Sequence, residues 1–309
     1  MMKILIVARF KEHGFAPFVI EQVSALKKNG VECRFFPVSS NGVMGYLKQL
    51  PELKRVIKTF KPDVVHAHSG LCGLFANLQR IVPVITTYHG SDINKQNVLK
   101  LSKISIRLSA YNIFVSQKII DIAKPKKNYA LIPCGINLDD YPIIEKIEAR
   151  KQMGFEGNKK YVLFAGAFDN KVKNAPLAKE AVTLLNDKNV QLLELKGYTR
   201  KQVAILMQAV DAFLMTSFTE GSPQVIKEAL VCGCPIVSVD VGDVKERVEG
   251  VDGCFVAKRD ADDLASCLKK AIAFGKRTNG KDAIMRDGLT NDTVALHLNE
   301  IYSQISKKR

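Results

Sequence analysis

The chain of 309 residues has no tryptophan. It also has no apolar run near the ~18–20 residues of a bilayer span, so no membrane-crossing helix is expected. The apolar start Ile4-Leu-Ile-Val-Ala8 is too short for the core of a secretory signal. It reads as a buried first strand, and an intracellular protein is expected. There is no GxGxxG turn and no Walker loop, which argues against a common dehydrogenase or a P-loop enzyme. The seven cysteines are scattered, and Cys232-Gly-Cys234 is their one close pair. With no second pair or nearby histidine to complete a zinc site, they read as small, buried, reduced residues.

Carboxylates are the scarcer charge. Lys and Arg number 46 against 31 Asp and Glu, a net charge of +15. The excess is uneven, with residues 1–145 carrying +10 of it and residues 146–309 the other +5. A basic first half suggests a polyanion partner: nucleic acid, an anionic membrane surface or a phosphorylated substrate. Without tryptophan or basic segments interleaved with aromatics, nucleic acid is the weakest of the three and is not expected. Hydrophobic content of 47% and charged content of 25% fit a globular protein, and the length suits two domains.

Short β-branched apolar runs alternate with helical patterns. In the first half, strands are expected at 3–8, 32–37, 64–67, 84–88, 112–115 and 130–132. Helices fall between them at 18–28, 51–60, 71–80, 98–109 and 117–123. The second half repeats this, with strands at 161–165, 192–195, 212–216, 235–239 and 254–257. Its helices are expected at 175–186, 199–209, 223–231, 244–248, 261–274 and 290–306. Continuous apolar strands separated by helices predict α/β domains with parallel sheets covered on both faces. The polar stretch Asp139–Gly157 reads as the join, giving domains of 1–145 and 146–309, the last helix packing back on the first domain. Two doubly wound domains place ligands at the carboxyl ends of their strands.

The stretch Glu220-Gly-Ser-Pro-Gln-Val-Ile-Lys-Glu228 carries the most chemistry. Pro223 suits a first helical position and Ser222 a cap before it. Backbone N–H groups of Ser222, Gln224 and Val225 would then form an anion site. A carboxylate on each side suits sugar hydroxyls flanking a diphosphate, as in a nucleotide sugar. The plainer alternative is a capped surface helix with two solvated glutamates.

Thr87-Tyr-His-Gly-Ser-Asp92 puts His89 at a strand's carboxyl end, with Gly90 allowing close backbone approach and Asp92 as a cap. His89 also reads as a structural histidine. His66 and His68 point the same way along one strand, but no third ligand lies nearby and metal is not expected. The loop Gly166-Ala-Phe-Asp-Asn-Lys-Val-Lys-Asn174 offers Lys171 and Lys173 as point charges for phosphate, or as plain exposed lysines. Asp260-Ala-Asp262 has the form of an Asp-x-Asp metal motif, yet it precedes a helical pattern and capping explains it better.

Together these segments resemble the retaining glycosyltransferases of the GT-B fold in the bacterial glycosyltransferase family four, the glycosyl transferases group 1. The pieces occur in family order: Val64-Val-His-Ala-His68, Tyr88-His-Gly-Ser-Asp92, Ile132-Pro-Cys-Gly-Ile-Asn137, Lys173-Asn174, the Glu220 to Glu228 block, Gly233-Cys-Pro-Ile-Val237 and Asp240-Val-Gly-Asp243. The wording of 168–174 and 220–224 is similar to members that build capsular or teichuronic-type polysaccharides.

The resemblance implies two Rossmann-like domains facing a cleft. It implies that Glu228 accepts hydrogen bonds from ribose hydroxyls and Glu220 from the donor sugar. It assigns the diphosphate to backbone groups of Gly221, Ser222, Pro223, Gln224 and Val225, with Gly166, Lys171 and Lys173 in the facing loop. His89 would lie beside the sugar, and Gly14 would let the N-terminal loop approach the diphosphate. His89, Glu220 and Lys173 are thus the catalytic candidates. No metal and no cofactor is expected; the donor is a nucleoside-diphosphate sugar, UDP favoured over GDP. The acceptor would be a lipid-linked or oligosaccharide glycan.

The chain departs from the family's pattern in several places. Ala167 stands where Arg usually follows the loop glycine, Gly14 lacks a second adjacent glycine, and Cys134 replaces a common Asn. The length is short for the family and suggests trimmed loops. The expected activity is transfer of a sugar to a glycan hydroxyl in surface polysaccharide synthesis. A nucleotide-sugar epimerase and a non-catalytic glycan-binding subunit stay as alternatives.

A cytoplasmic protein at the inner face of the membrane is expected. Lys54, Lys58 and Lys61 share one helical face, as do Lys100, Lys103 and Arg107, beside Leu53, Val56, Ile57 and Phe60, and beside Val98, Leu101, Ile104 and Leu108. Such helices suit an anionic membrane if the apolar residues are exposed, and an ordinary domain surface if they are buried.

Overall fold

The computed structural model describes residues 1–39 and 42–307. The chain forms two α/β units, Met1–Gly135 with the segment from Leu289, and Ile136–Gly288.

Unit 1 contains β1 (Lys3–Arg9), α1 (Pro17–Lys28), β2 (Glu32–Val38), α2 (Gly42–Lys48), α3 (Leu50–Phe60), β3 (Val64–His68) and α4 (Gly70–Asn77). It continues through β4 (Val84–Tyr88), α5 (Ser91–Asn94), α6 (Gln96–Leu108), β5 (Tyr111–Phe114), α7 (Gln117–Ala123) and β6 (Tyr129–Leu131). Its sheet is parallel, in the order β2-β1-β3-β4-β5-β6.

Unit 2 contains α8 (Lys146–Met153), β7 (Lys160–Phe164), α9 (Ala175–Thr183), β8 (Val190–Glu194), α10 (Arg200–Ala209), β9 (Ala212–Met215) and α11 (Gln224–Val231). Then follow β10 (Ile236–Val239), α12 (Val244–Val248), β11 (Phe255–Ala257), α13 (Ala261–Phe274) and α14 (Gly280–Arg286). Its parallel sheet runs β11-β10-β9-β7-β8. The last helix, α15 (Asn291–Ser306), belongs to unit 1 and packs against α1.

The central strands are apolar on both faces because both faces are covered. Ile4, Ile6 and Ile113 pack with α1 and with Val294, Leu298, Ile301, Tyr302 and Ile305 of α15. That apolar spacing of three and four puts one stripe of α15 on the sheet. Leu5, Val7 and Val65 pack instead with Leu53, Ile57 and Phe75 of α3 and α4. Helix α4 approaches α6 through glycines: an added Cβ at Gly70 would fall 2.0 Å from Ser102 Oγ, and one at Gly73 2.4 Å from Ser105 Oγ.

The strand order reverses between β1 and β3 in unit 1, and between β7 and β9 in unit 2. These are the switch points where open α/β sheets bind ligands, at strand carboxyl ends. The loops there begin after Arg9 and His68 in unit 1, and after Phe164 and Met215 in unit 2.

The division falls at Gly135 rather than at residue 145. The intervening stretch is fastened to unit 2, with Ile144 N–H donating to Gln208 Oε1 at 2.9 Å and Gln208 Nε2 donating to Pro142 O at 3.1 Å. Within the expected polar join lies a helix, α8. Its burial rests on Ala149 alone, so it has no apolar periodicity to read. Lys146 and Arg150 hold it instead, each 2.7 Å from an Asp211 carboxylate oxygen. Helices α2, α5 and α14 also lie outside the sequence-predicted set; all three are seven residues or shorter.

Candidate active site

In unit 2 the loop after β7 and the loop after β9 meet. Phe218 N–H donates to Val172 O at 2.9 Å, and Thr216 Oγ1 donates to the carbonyls of Lys173 and Asn174, each at 2.9 Å. Residues Lys171–Lys173 form a 3-10 turn whose Asn170 side chain accepts from Val172 N–H. This frame puts Lys173 Nζ 2.7 Å from Glu220 Oε1, both side chains about four-fifths buried. Gly166 makes room for the lysine stem, since a Cβ there would lie 2.9 Å from Lys173 Cγ. Lys171 points to solvent.

Helix α11 starts one residue later than the sequence suggests. Pro223 is its N-cap and makes no side-chain cap bond. Ser222 is not the cap: its hydroxyl donates to Asp243 Oδ2 at 2.7 Å. Its bond therefore ties the 221–224 turn to the loop after β10. Gly242 in that loop has φ +57, and a Cβ there would fall 2.6 Å from Gly221 O. Only glycine meets both the backbone angle and the contact. Gly242→Ala should therefore push the turn aside. A ~1 Å displacement of a positioning loop costs on the order of 10²-fold in turnover. Steady-state kinetics with an unchanged kcat/KM would show that the turn yields without consequence.

Glu228, one turn into α11, shares a hydrogen bond with the Tyr141 hydroxyl. Burial, and then the Glu228 carboxylate, push the Tyr141 pKa up. Arg200 Nη2 donates to the same hydroxyl at 3.4 Å and lies 3.4 Å from Asp140. Tyr141 and Arg200 are absent from the sequence-derived site. Tyr141-Pro142 is visible there only as part of a join, and the packing that makes it part of unit 2 is tertiary.

In unit 1, His89 follows β4 as expected, and Gly90 takes φ +110. Asp92 does more than cap its helix. Its buried carboxylate accepts from His89 N–H at 3.1 Å, Gly90 N–H at 3.0 Å and Gly70 N–H at 2.9 Å. It thereby pins the His89 turn to the start of α4.

His66 and His68 do share a face, and their rings stack at 4.6 Å. Both nitrogens of His66 are engaged, Nδ1 with Tyr302 Oη at 2.6 Å and Nε2 with Thr87 Oγ1 at 2.7 Å. Burial pushes the His66 pKa down to about 3 and that of His68 well below its usual value, so both rings are neutral. His68 Nδ1 lies 3.1 Å from His89 Nε2, while His68 Nε2 is buried with no partner among the described residues. A buried N–H without an acceptor is costlier than a bare lone pair. The His68 proton therefore sits on Nδ1 and is donated to His89. A neutral His89 then carries its own proton on Nδ1, the atom 3.7 Å from Cys134 Sγ. Phe18 packs on the His89 ring at 4.7 Å.

Residues 7–140 match the family described as Glycosyltransferase Family 4, and residues 186–273 match Glycosyl transferases group 1. The chain thus carries a Glycosyltransferase Family 4 domain and a Glycosyl transferases group 1 domain.

A putative teichuronic acid biosynthesis glycosyltransferase of Bacillus subtilis is 26% identical over 249 residues, covering 70% of this chain and 64% of that protein. The match thus spans less than two thirds of that relative. An Escherichia coli UDP-Gal:alpha-D-GlcNAc-diphosphoundecaprenol alpha-1,3-galactosyltransferase is 23% identical over 273 residues, covering 72% of this chain and 69% of that one. Sucrose-phosphate synthase from Thermosynechococcus elongatus superposes with a TM-score of 0.81 at 16% identity, covering 100% of both chains. Anabaena HepE in complex with UDP does so with a TM-score of 0.76 at 18% identity, covering 98% of this chain and 100% of that one. The fold is that of the GT-B glycosyltransferases.

Within this glycosyltransferase frame the remaining candidates separate. Gly14 closes a tight turn after β1, with Lys11 and Gly14 exchanging backbone hydrogen bonds of 3.1 and 2.8 Å. Asp260 is the N-cap of α13, accepting from Asp263 N–H at 3.0 Å. Among the described residues no group of three His, Cys, Asp or Glu side chains is placed to hold a metal ion. A cavity of about 580 Å³ in unit 2 is lined by Asp140, Arg200 and Gln208, and by none of the sequence-predicted site residues.

The two basic helices differ. Leu53, Val56 and Ile57 of α3 are buried in the core, so Lys54, Lys58 and Lys61 border no exposed apolar stripe. This corrects the membrane reading for α3. On α6, Ile104 and Leu108 are 44% and 38% exposed, beside Lys100, Lys103 and Arg107. Among the described residues no helix is long and apolar enough to cross a membrane.

Proposed function

We propose that the protein transfers a hexose-type sugar, with retention, from a nucleoside-diphosphate sugar to a glycan hydroxyl during surface polysaccharide synthesis. The observation that carries this is the Lys173–Glu220 contact of 2.7 Å beside the 221–224 turn. It sets one cation and one carboxylate beside the turn that opens α11, whose backbone N–H groups the proposal gives to the diphosphate. A diphosphate leaving group gains from the cation and the N–H groups, while the carboxylate suits the sugar hydroxyls. Glu228 is assigned to the ribose and His89 of unit 1 to turnover. The departing phosphate takes the proton of the attacking hydroxyl, so the scheme requires no side-chain base and no metal. The UDP complex of HepE and the UDP-Gal named in the Escherichia coli relative favour UDP as the nucleotide.

Thermal shift with UDP and GDP, followed by transfer assays with UDP-sugars, tests the assignment, because a ligand at a hundred times its Kd adds roughly 2.7 kcal/mol of stability. Activity should survive EDTA. Loss on chelation, restored by Mn²⁺ or Mg²⁺, would overturn the metal-free scheme. Failure of every nucleotide to bind would overturn the donor site itself.

For the acceptor, a lipid-linked glycan at the inner face of the membrane fits α6. Its foot borders a concavity of about 290 Å³ lined by Lys103, Arg107, Lys124, Lys126 and Lys127, with no carboxylate in the lining. Each basic side chain near an anionic bilayer contributes about 1 kcal/mol. Co-sedimentation with anionic vesicles is therefore expected, weakened by salt and by Lys100→Glu with Lys103→Glu. Equal recovery with neutral and anionic vesicles would leave the acceptor in solution.

A further inference from the structure

Lys227 lies inside the 220–228 block, yet the scheme above gives it no task. It is fully buried, which is rare for lysine unless it is paired. Its ammonium donates to Gln224 Oε1 at 3.0 Å, one helical turn earlier. A second buried charge, Asp243, accepts the Ser222 hydroxyl at 2.7 Å. Asp243 sits 3.4 Å from Arg247, which in turn is 2.8 Å from Asp287. Burial pushes the Asp243 carboxyl up, and the Lys227 charge is the largest opposing influence. Asp243 Oδ1 is buried with no hydrogen-bond partner among the described residues. Two buried charges of opposite sign thus each hold one side chain of the same short turn.

The chemistry of that grip sets the turn's polarity. An amide whose oxygen faces an ammonium directs its NH₂ group the other way, and NH₂ only donates. A serine whose proton goes to a carboxylate keeps its oxygen as an acceptor. We propose that Lys227 is a positioning residue of the donor site that orients Gln224 as a hydrogen-bond donor to the phosphoryl or sugar oxygens of a nucleoside-diphosphate sugar. This rests on the donor-site reading above. Gln224 itself touches the ligand; Lys227 acts through it. An unoriented Gln224 would present its carbonyl oxygen to an anion in part of the population, which is repulsive.

A lysine that only neutralises Asp243 would behave differently, and a mutant cycle separates the two roles. Four proteins are compared: Lys227→Met, Lys227→Met with Asp243→Asn, Gln224→Leu, and Gln224→Leu in the double variant. Thermal unfolding is read beside calorimetric affinity for UDP, or for GDP if the wild type holds that nucleotide. Lys227→Met should lower Tm by removing the largest charge that opposes the burial cost of Asp243. Adding Asp243→Asn should recover most of that loss while UDP affinity stays about tenfold weak. Gln224→Leu should weaken UDP about as much, with little change in Tm, and should add nothing in the double variant. Wild-type UDP affinity in the double variant or in Gln224→Leu would overturn the proposal. If Lys227→Met does not fold, Gln224→Leu alone still decides, because Gln224 is only half-buried. A wild type that binds no nucleotide would instead overturn the donor-site reading on which the proposal stands.

Discussion

Lys173→Ala should lower turnover by on the order of 10²–10³-fold, the loss usual for removing one preorganised group from a developing oxyanion. The side chain is held in place before any ligand arrives. Gly166 leaves space for its stem, Thr216 fixes its carbonyl, and Glu220 holds its ammonium at 2.7 Å. The charge matters most as the diphosphate departs, so kcat should fall more than nucleotide affinity. Lys171 provides the internal comparison. It is two residues away on the same 3-10 turn but exposed to solvent, and exposed charges contribute ~1 kcal/mol or less. Lys171→Ala should stay within about fivefold of wild type on that scale. Steady-state kinetics showing the reverse order would mean that Lys171, not Lys173, takes the place of the arginine missing at Ala167.

The strands and long helices were legible because each has its own period. β4, for example, is Val84–Tyr88 both in the sequence reading and in the structure. What escaped was whatever depends on a distant partner. α8 carries one buried alanine and is held by Asp211, more than sixty residues away in sequence. The Glu220–Glu228 block was visible as a pattern of carboxylates around Gly-Ser-Pro. Its supports were not: Asp243 stood in sequence only within the Asp240-Val-Gly-Asp243 piece and Lys227 only within the block, with no task given to either. Their roles appear only once β10 brings residues 242 and 243 against the turn after β9. His66 was readable as facing the same way as His68. That Tyr302 of the last helix occupies one of its nitrogens was not, because nothing in either segment names the other. The exposed stripe of α6 and the buried one of α3 look alike in sequence, and only the packing of Leu53, Val56 and Ile57 tells them apart.

The two glutamates should separate in opposite directions when each is replaced by alanine. Glu228 is assigned to the ribose, a part of the donor that free UDP retains. Hydrogen bonds to a charged group are worth about 1.5–3 kcal/mol, so Glu228→Ala should weaken UDP roughly 10- to 150-fold. Part of the loss will come from Tyr141, whose hydroxyl shares its hydrogen bond with Glu228. Tyr141→Phe measures that part separately, and it should be the smaller. Glu220 is assigned to the sugar, which free UDP lacks. Its replacement also removes the carboxylate that holds Lys173 at 2.7 Å. The diphosphate then no longer competes with a protein carboxylate for that ammonium. Glu220→Ala should therefore bind UDP as well as wild type or tighter, while turnover of the UDP-sugar falls sharply. Calorimetry with UDP and kinetics with the full donor check both halves of this. Weaker UDP binding in Glu220→Ala together with unaltered binding in Glu228→Ala would exchange the two assignments. Normal turnover in Glu220→Ala would remove that residue from the sugar site and leave its contact with Lys173 as a structural ion pair.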